Sequence, residues 1–241
     1  MEIFLIILLV IAASCVGTMT GFGTSTIMVP ALLILYPMPM EETLLFVGVI
    51  HWFGNVWKII LFKRGFDWKL ILSFGVPGMA AAWLGAKLVF EMPKESLSRI
   101  LGGFLVAYVV FLFAKRSFRV RPNVVTGACG GALSGFFAGI FGIGGAVRGL
   151  FLTAFDLPKE VYIATAGVIA LFVDTTRLGT YVSEGTWFTE LPVWGFLLFI
   201  PASFAGARIA RRVVDRIPQE HFRKVVAVFL LLLGLKLLLA P

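Results

Sequence analysis

The chain has 241 residues, 59% of them hydrophobic and only 14% charged, with a mean hydropathy of +0.98. That composition excludes a soluble domain and fits one polytopic membrane bundle with almost no mass outside the bilayer. The net charge of +8 does not mark a nucleic-acid binder, because most basic residues sit in short loops at the ends of apolar runs, as the positive-inside bias requires.

An apolar arm over about 2–17 opens the chain. It lacks a basic n-region, so no cleavable signal peptide is expected. A glycine break at 18–23 follows, inside the stretch Gly17 to Pro30, and a second arm covers 24–36. At ~1.5 Å per residue the arms measure about 24 Å and about 20 Å. A hydrocarbon core of ~30 Å is barely crossed by either. The pair is therefore two short crossings or a re-entrant hairpin. The segment Tyr36–Glu42 reads as a turn, and spans are expected at about 43–62, 68–90 and 97–114, with Pro77 and Gly78 kinking the second. The stretch Lys115–Pro122 carries four positive charges and no negative one, the strongest cytoplasmic marker in the chain.

The second half repeats the plan. Arms are expected at 123–141 and 145–156 with the glycine-rich stretch Gly135–Gly149 between them, then a turn at Asp156–Glu160 and spans at 160–182, 188–210 and 220–239. Gly21-Phe22-Gly23 lies over Gly142-Ile143-Gly144 at an offset of 121. Ordered matches continue along both halves, among them Pro39 and Glu41 with Pro158 and Glu160, Gly48 with Gly167, and Gly85 with Gly206. The domains expected are repeat 1 over 1–114, a basic linker over 115–122, and repeat 2 over 123–241. Loop charges alternate oppositely in the halves: Lys63, Arg64 and Lys69 in one answer to Glu184 and Glu190 in the other. The fold class expected is an all-α polytopic membrane protein of two inverted repeats. Each is a glycine-broken, short or re-entrant helix pair plus three spanning helices. This topology puts 63–69, 115–121 and 211–216 inside, and 41–42, 91–95 and 184–190 outside.

Glycine breaks at membrane depth free backbone amides, which lipid cannot satisfy but a solute can. A helix that restarts after such a break aims its N-terminal amides and positive dipole end at the cavity. Gly21, Gly23, Thr24 and Ser25 in the first half, with Gly142, Gly144, Gly145 and Arg148 in the second, are the candidate solute-binding residues. Convergent helix N-termini and an arginine favour an anion. Thr24 and Ser25 can also cap the helix they begin, and the glycines can also serve tight helix packing. A second paired feature is Asn55 and Lys58 against Asp174 and Arg177, each spaced i, i+3. Ionisable residues within spans face a cavity or one another, so these four and His51 are candidates for coupling or cavity lining. Asp174 is the foremost candidate for carrying a proton or Na⁺. Cys15 and Cys129 have no partner at metal spacing, and neither a cofactor nor a metal is expected.

Gly21-Phe22-Gly23, the cluster Gly139 to Gly145, the Pro-x-Glu turns and the Gly-to-Trp loops at 65–68 and 185–187 resemble the sulfite exporter TauE/SafE family of membrane permeases over nearly the whole chain. The resemblance implies transport of sulfite, sulfoacetate or related organosulfonates. The chain departs from the family pattern at Thr24, Ser25, Ala146 and Phe151. The function expected is a secondary transporter of a small anion in the cell (inner) membrane, working by alternating access. An enzyme is not expected, since only His51 and His221 are available as histidines and no ATP-binding loop is present. The rivals are an ion channel and a cation permease built on Asp174 and Asn55.

Overall fold

The computed structural model describes residues 2–20, 23–36, 38–62, 65–114, 121–213 and 219–239. Gly21, Phe22, Lys63, Arg64, Arg216 and the linker residues 115–120 lie outside the described residues, as does the side chain of His221. The described residues form ten α-helices and no strand: α1 (Glu2–Thr20), α2 (Ser25–Leu35), α3 (Met40–Leu61), α4 (Trp68–Glu91), α5 (Lys94–Ala114), α6 (Val124–Phe141), α7 (Gly144–Leu152), α8 (Lys159–Ser183), α9 (Phe196–Val213) and α10 (Gln219–Leu239). Among them, the helices at Met40–Leu61, Trp68–Glu91, Val124–Phe141, Glu160–Ser183 and Val193–Val213 are long and apolar enough to cross a bilayer.

Local chemistry sets the boundaries. Pro39 and Pro158 precede α3 and α8, whose first turns carry Glu41, Glu42 and Glu160, where the helix dipole favours negative charge. Asp67 and Asn123 cap α4 and α6 by accepting from the amides of Leu70 (2.9 Å) and Thr126 (2.8 Å). α6 ends at Gly142, which takes φ 72°; its amide bonds to Ala138 and that of Ile143 to Phe137. The bond from Gly142 back to Ala138 is the 5→1 bond of the αL ending, whose left-handed residue favours glycine. Gly23 has φ 86° at the corresponding place before α2.

The helices after the glycines are short. At 11 and 9 residues, α2 and α7 reach about 16 Å and about 14 Å. α7 turns back along α6: the Ser134 hydroxyl donates to the Gly144 carbonyl (2.8 Å), and a Cβ at Gly130 would meet Phe151. The Gly23 amide likewise donates to the Gly17 carbonyl of α1 (3.3 Å). Each first helix and its short partner thus form a hairpin.

The hairpins dock across the sequence halves. α6 packs along α4, and α1 packs along α9. In the first pair Gly131, Gly135 and Gly139 bring the α6 backbone onto the carbonyl oxygens of Phe74, Gly78 and Ala82. The matched order of these contacts shows that α4 and α6 run parallel. Small residues at such a seam permit the close approach that packs helices in lipid. At the centre α3 packs on α8, while α5 packs on α10. α3 and α8 run antiparallel: Gly48 faces Arg177 and Leu178, Trp52 Nε1 donates to Thr175 Oγ1 (3.0 Å), and Gly167 faces Asn55 and Ile59.

Contacts gather the loops at two ends. At one end the buried Glu42 carboxylate accepts from the amides of Thr189, Glu190 and Leu191 and from the Thr189 hydroxyl (2.6 Å). Lys94 pairs with Glu41 (3.4 Å) and Lys87 with Glu184 (3.9 Å) there as well. At the other end the Asp67 amide donates to Thr165 Oγ1 (3.1 Å), and the Arg211 guanidinium sits over Phe62.

The structure revises one sequence alignment. α2 and α7 begin at Ser25 and Gly144, and the left-handed glycines are Gly23 and Gly142. Both pairs share the separation of 119 that relates Asn55 to Asp174. The matching of Gly23 to Gly144 was therefore two residues out of register; Gly144 instead corresponds to Ser25.

Candidate functional site

The α3–α8 crossing builds a buried polar chain. Along α3, Gly48, His51, Asn55 and Lys58 recur at three- and four-residue steps and so share one helix face. Opposite them α8 presents Gly167, Asp174 and Arg177. Asp174 uses both oxygens: Oδ2 accepts from His51 Nδ1 (2.8 Å) and Asn55 Nδ2 (3.1 Å), and Oδ1 accepts from Arg177 Nε (2.8 Å). Lys58 Nζ donates to Asn55 Oδ1 (3.2 Å), extending the chain toward the far end of α3. With Arg148, none of these side chains belongs to a residue more than 8% exposed. Donation to the carboxylate puts a proton on His51 Nδ1, which leaves Nε2 as the acceptor of the neutral ring.

The two glycine turns close on this chain from either side. A Cβ at Gly23 would stand 2.6 Å from His51 Nε2, and one at Gly142 would stand 3.4 Å from Arg177 Nη1. Both turns thus take glycine for φ; Gly23 also needs it because His51 approaches its backbone, whereas at Gly142 Val29 and Leu44 come nearest. Gly144 presses against Ser134 and Ala138 of α6, so its missing side chain serves the hairpin. Gly145 and Arg148 follow on α7, both buried. Thr24 and Ser25 are buried at the start of α2, but Thr24 makes no side-chain cap, contrary to the expectation for a helix start. Gly21 lies outside the described residues.

Several buried polar atoms have no hydrogen-bond partner: Arg177 Nη1 and Nη2, His51 Nε2 and Ser25 Oγ. Arg148 forms no hydrogen bond or salt bridge among the described residues. The cluster sets three cationic side chains, Lys58, Arg148 and Arg177, around one carboxylate. Burying charge without a counter-charge is costly, so this arrangement is suited to a negative partner.

A small internal cavity of about 20 Å³ opens beside the chain, lined by Thr18, Asn55, Lys58, Arg148, Tyr162 and Gly167 among others. It has room for about one water molecule. Thr18 and Tyr162 escape a reading of the sequence, because a lone threonine or tyrosine in an apolar run carries no spacing signal. Tyr181 escapes it too; its hydroxyl donates to the Gly139 carbonyl near the end of α6. Of the further polar residues near this face, Trp52 bonds to Thr175, Trp57 Nε1 bonds to Ser203 Oγ (3.2 Å), and Thr176 Oγ1 returns to the carbonyl of its own helix.

A family model described as sulfite exporter TauE/SafE matches residues 6–237. A protein described as a probable membrane transporter from Methanocaldococcus jannaschii is 22% identical, over 98% of this chain and 95% of the relative. The matched span takes in both glycine turns and the whole α3–α8 crossing. The chain belongs to the sulfite exporter TauE/SafE family of membrane proteins.

Proposed function

We propose that this protein is a secondary transporter of a small anion in the cell (inner) membrane, with sulfite, sulfoacetate or a related organosulfonate as its solute. The observation that carries the anion reading is the excess of buried donors at the α3–α8 crossing. Lys58, Arg148 and Arg177 surround a single carboxylate, and Arg177 keeps two nitrogens unpaired. The family match and the relative's description support transport itself. A cation permease is disfavoured by the same geometry, since both Asp174 oxygens are already taken by three donors.

The mechanism is alternating access between two inverted repeats, 1–114 and 123–241, joined by a cytoplasmic linker. The antiparallel run of α3 against α8, which are corresponding helices of the two halves, supports the inversion. So does the gathering of Glu41, Glu42, Lys94 and Glu184 at the end opposite Phe62 and Arg211. The anion is held near the midplane between the glycine turns by Gly23, Thr24, Ser25, Gly142, Gly144, Gly145 and Arg148, and also by Gly21, which lies outside the described residues. If a proton is coupled, its acceptor is His51 Nε2, an unpartnered acceptor of the chain, with Asp174 holding the ring in place.

The test is flux into proteoliposomes that contain the purified protein, using labelled sulfite and sulfoacetate with and without a pH gradient. Saturable anion uptake that is lost in Arg148→Ala is the expected result. Flux of cations alone overturns the reading, and non-saturating flux assigns a channel instead.

A further inference from the structure

The separation of 119 residues that relates the halves relates two compartments at the α3–α8 crossing, and they have diverged. One surrounds Arg177. Its guanidinium lies beside Gly48, and the Gly142 turn near it touches Val29 and Leu44. The other surrounds Lys58, with Arg148, Ile163 and Gly167 at the cavity wall. These are the same positions shifted by one repeat: Val29 corresponds to Arg148, Leu44 to Ile163, Gly48 to Gly167 and Lys58 to Arg177.

The differences decide what each compartment can hold. Arg177 is neutralised by Asp174 at 2.8 Å and lies beside Gly48 and the Tyr181 hydroxyl. At the matching position Lys58 meets Asn55, a neutral amide, at 3.2 Å. Where the first compartment has Val29, the second has Arg148, and Tyr162 joins it at the cavity wall. The second compartment therefore contains two cationic groups with no carboxylate bonded to either, a phenol, and the cavity. A counter-charge of two balances it, and the lysine, the guanidinium and the phenolic hydroxyl are all able to donate to oxygen.

We propose that Lys58, Arg148 and Tyr162 form a single off-axis subsite for the charged head of the solute, and that Lys58 makes it select doubly over singly charged anions. This assigns Lys58 to solute recognition instead of to the coupling chain. It rests on the anion-transporter reading. The present cavity admits only about one water, so the structure is the closed form of the subsite, and a head group enters when α7 draws away from α8.

The experiment is calorimetric titration of the full-length protein in detergent. The probes are sulfite under alkaline conditions, where it is a dianion, and methanesulfonate, a monoanion with the same trigonal set of sulfur oxygens. One site per chain is expected, with sulfite bound more tightly. Lys58→Gln is expected to weaken sulfite by about ten- to a hundredfold, the loss of one charge-assisted contact, and to affect methanesulfonate far less. Lys58→Arg restores the preference, and Tyr162→Phe weakens both anions. Val29→Ala and Leu44→Val, in the other compartment, leave both affinities unchanged. Circular dichroism and elution volume confirm that each variant is folded. Equal affinity for the two anions, two sites per chain, an unchanged preference in Lys58→Gln, or unchanged affinities in Tyr162→Phe overturns the subsite while leaving anion transport standing. A wild-type protein that neither binds nor carries either anion removes the transporter reading as well.

Discussion

Asp174 holds three donors at once, from two helices, in a place with almost no access to solvent. Removing its charge strands Arg177, which is fully buried. Asp174→Asn is expected to destabilise the protein by about 3–5 kcal/mol, the usual result of breaking one side of a buried pair. Replacing both partners, as in Asp174→Asn with Arg177→Met, should recover much of that loss. Thermal unfolding of the detergent-solubilised variants checks both statements. Transport should remain impaired in the double variant if the pair also serves the solute. The i, i+3 spacing of Asn55 with Lys58 and of Asp174 with Arg177 was legible in the sequence. That the two pairs would share one hydrogen-bonded chain was not, because it depends on the register between two helices distant in sequence. His51 gained its place in the same way: nothing in its own neighbourhood announces a carboxylate from α8.

Helix lengths were the most legible property at the level of elements. Apolar runs and prolines marked α3, α4 and α8 to within a few residues, since hydropathy and Pro-x-Glu turns are local signals. The glycine clusters announced the breaks, yet they could not say which glycine does what. Gly142 turns the chain, Gly144 packs against α6, and Gly131, Gly135 and Gly139 face α4. These roles read alike in the sequence because each needs only a missing side chain. They separate under mutation. Gly135→Val would drive a side chain into the Gly78 backbone, and such overpacking is expected to cost about 1–3 kcal/mol or more by thermal unfolding. Gly179 has open space around it and a helical backbone, so Gly179→Ala should be neutral or stabilising by up to about 1 kcal/mol. The loop at 189–191 is held by Glu42 alone among acidic side chains described here. Glu42→Ala leaves its amides without that acceptor, and faster proteolysis within 184–192 is the expected sign.

The arrangement of loops at two ends is a property of the whole molecule, and it can be read by labelling. Single cysteines at Lys94 and Glu184, in a background with Cys15 and Cys129 replaced, should react with an impermeant maleimide from one side of the membrane. Cysteines at Phe66 and Arg211 should react from the other. Reaction of all four from one side would remove the inverted-repeat account. The sequence supported this arrangement through loop charge alone. It was silent on the exchange of partners between halves, in which α6 lies along α4 and α1 along α9. That exchange means the packing units do not follow the 114/115 boundary. α4 packs with α6 and α8, whereas α9 packs with α1 and α3. The antiparallel α3–α8 contact joins these units, and α5 packs on α10. Any movement of α3 along α8 has to sever and remake the links from His51 and Asn55 to Asp174 and from Trp52 to Thr175. Under the proposed alternating access, these few bonds are the latch that times the solute's passage, next to the cations that would hold it.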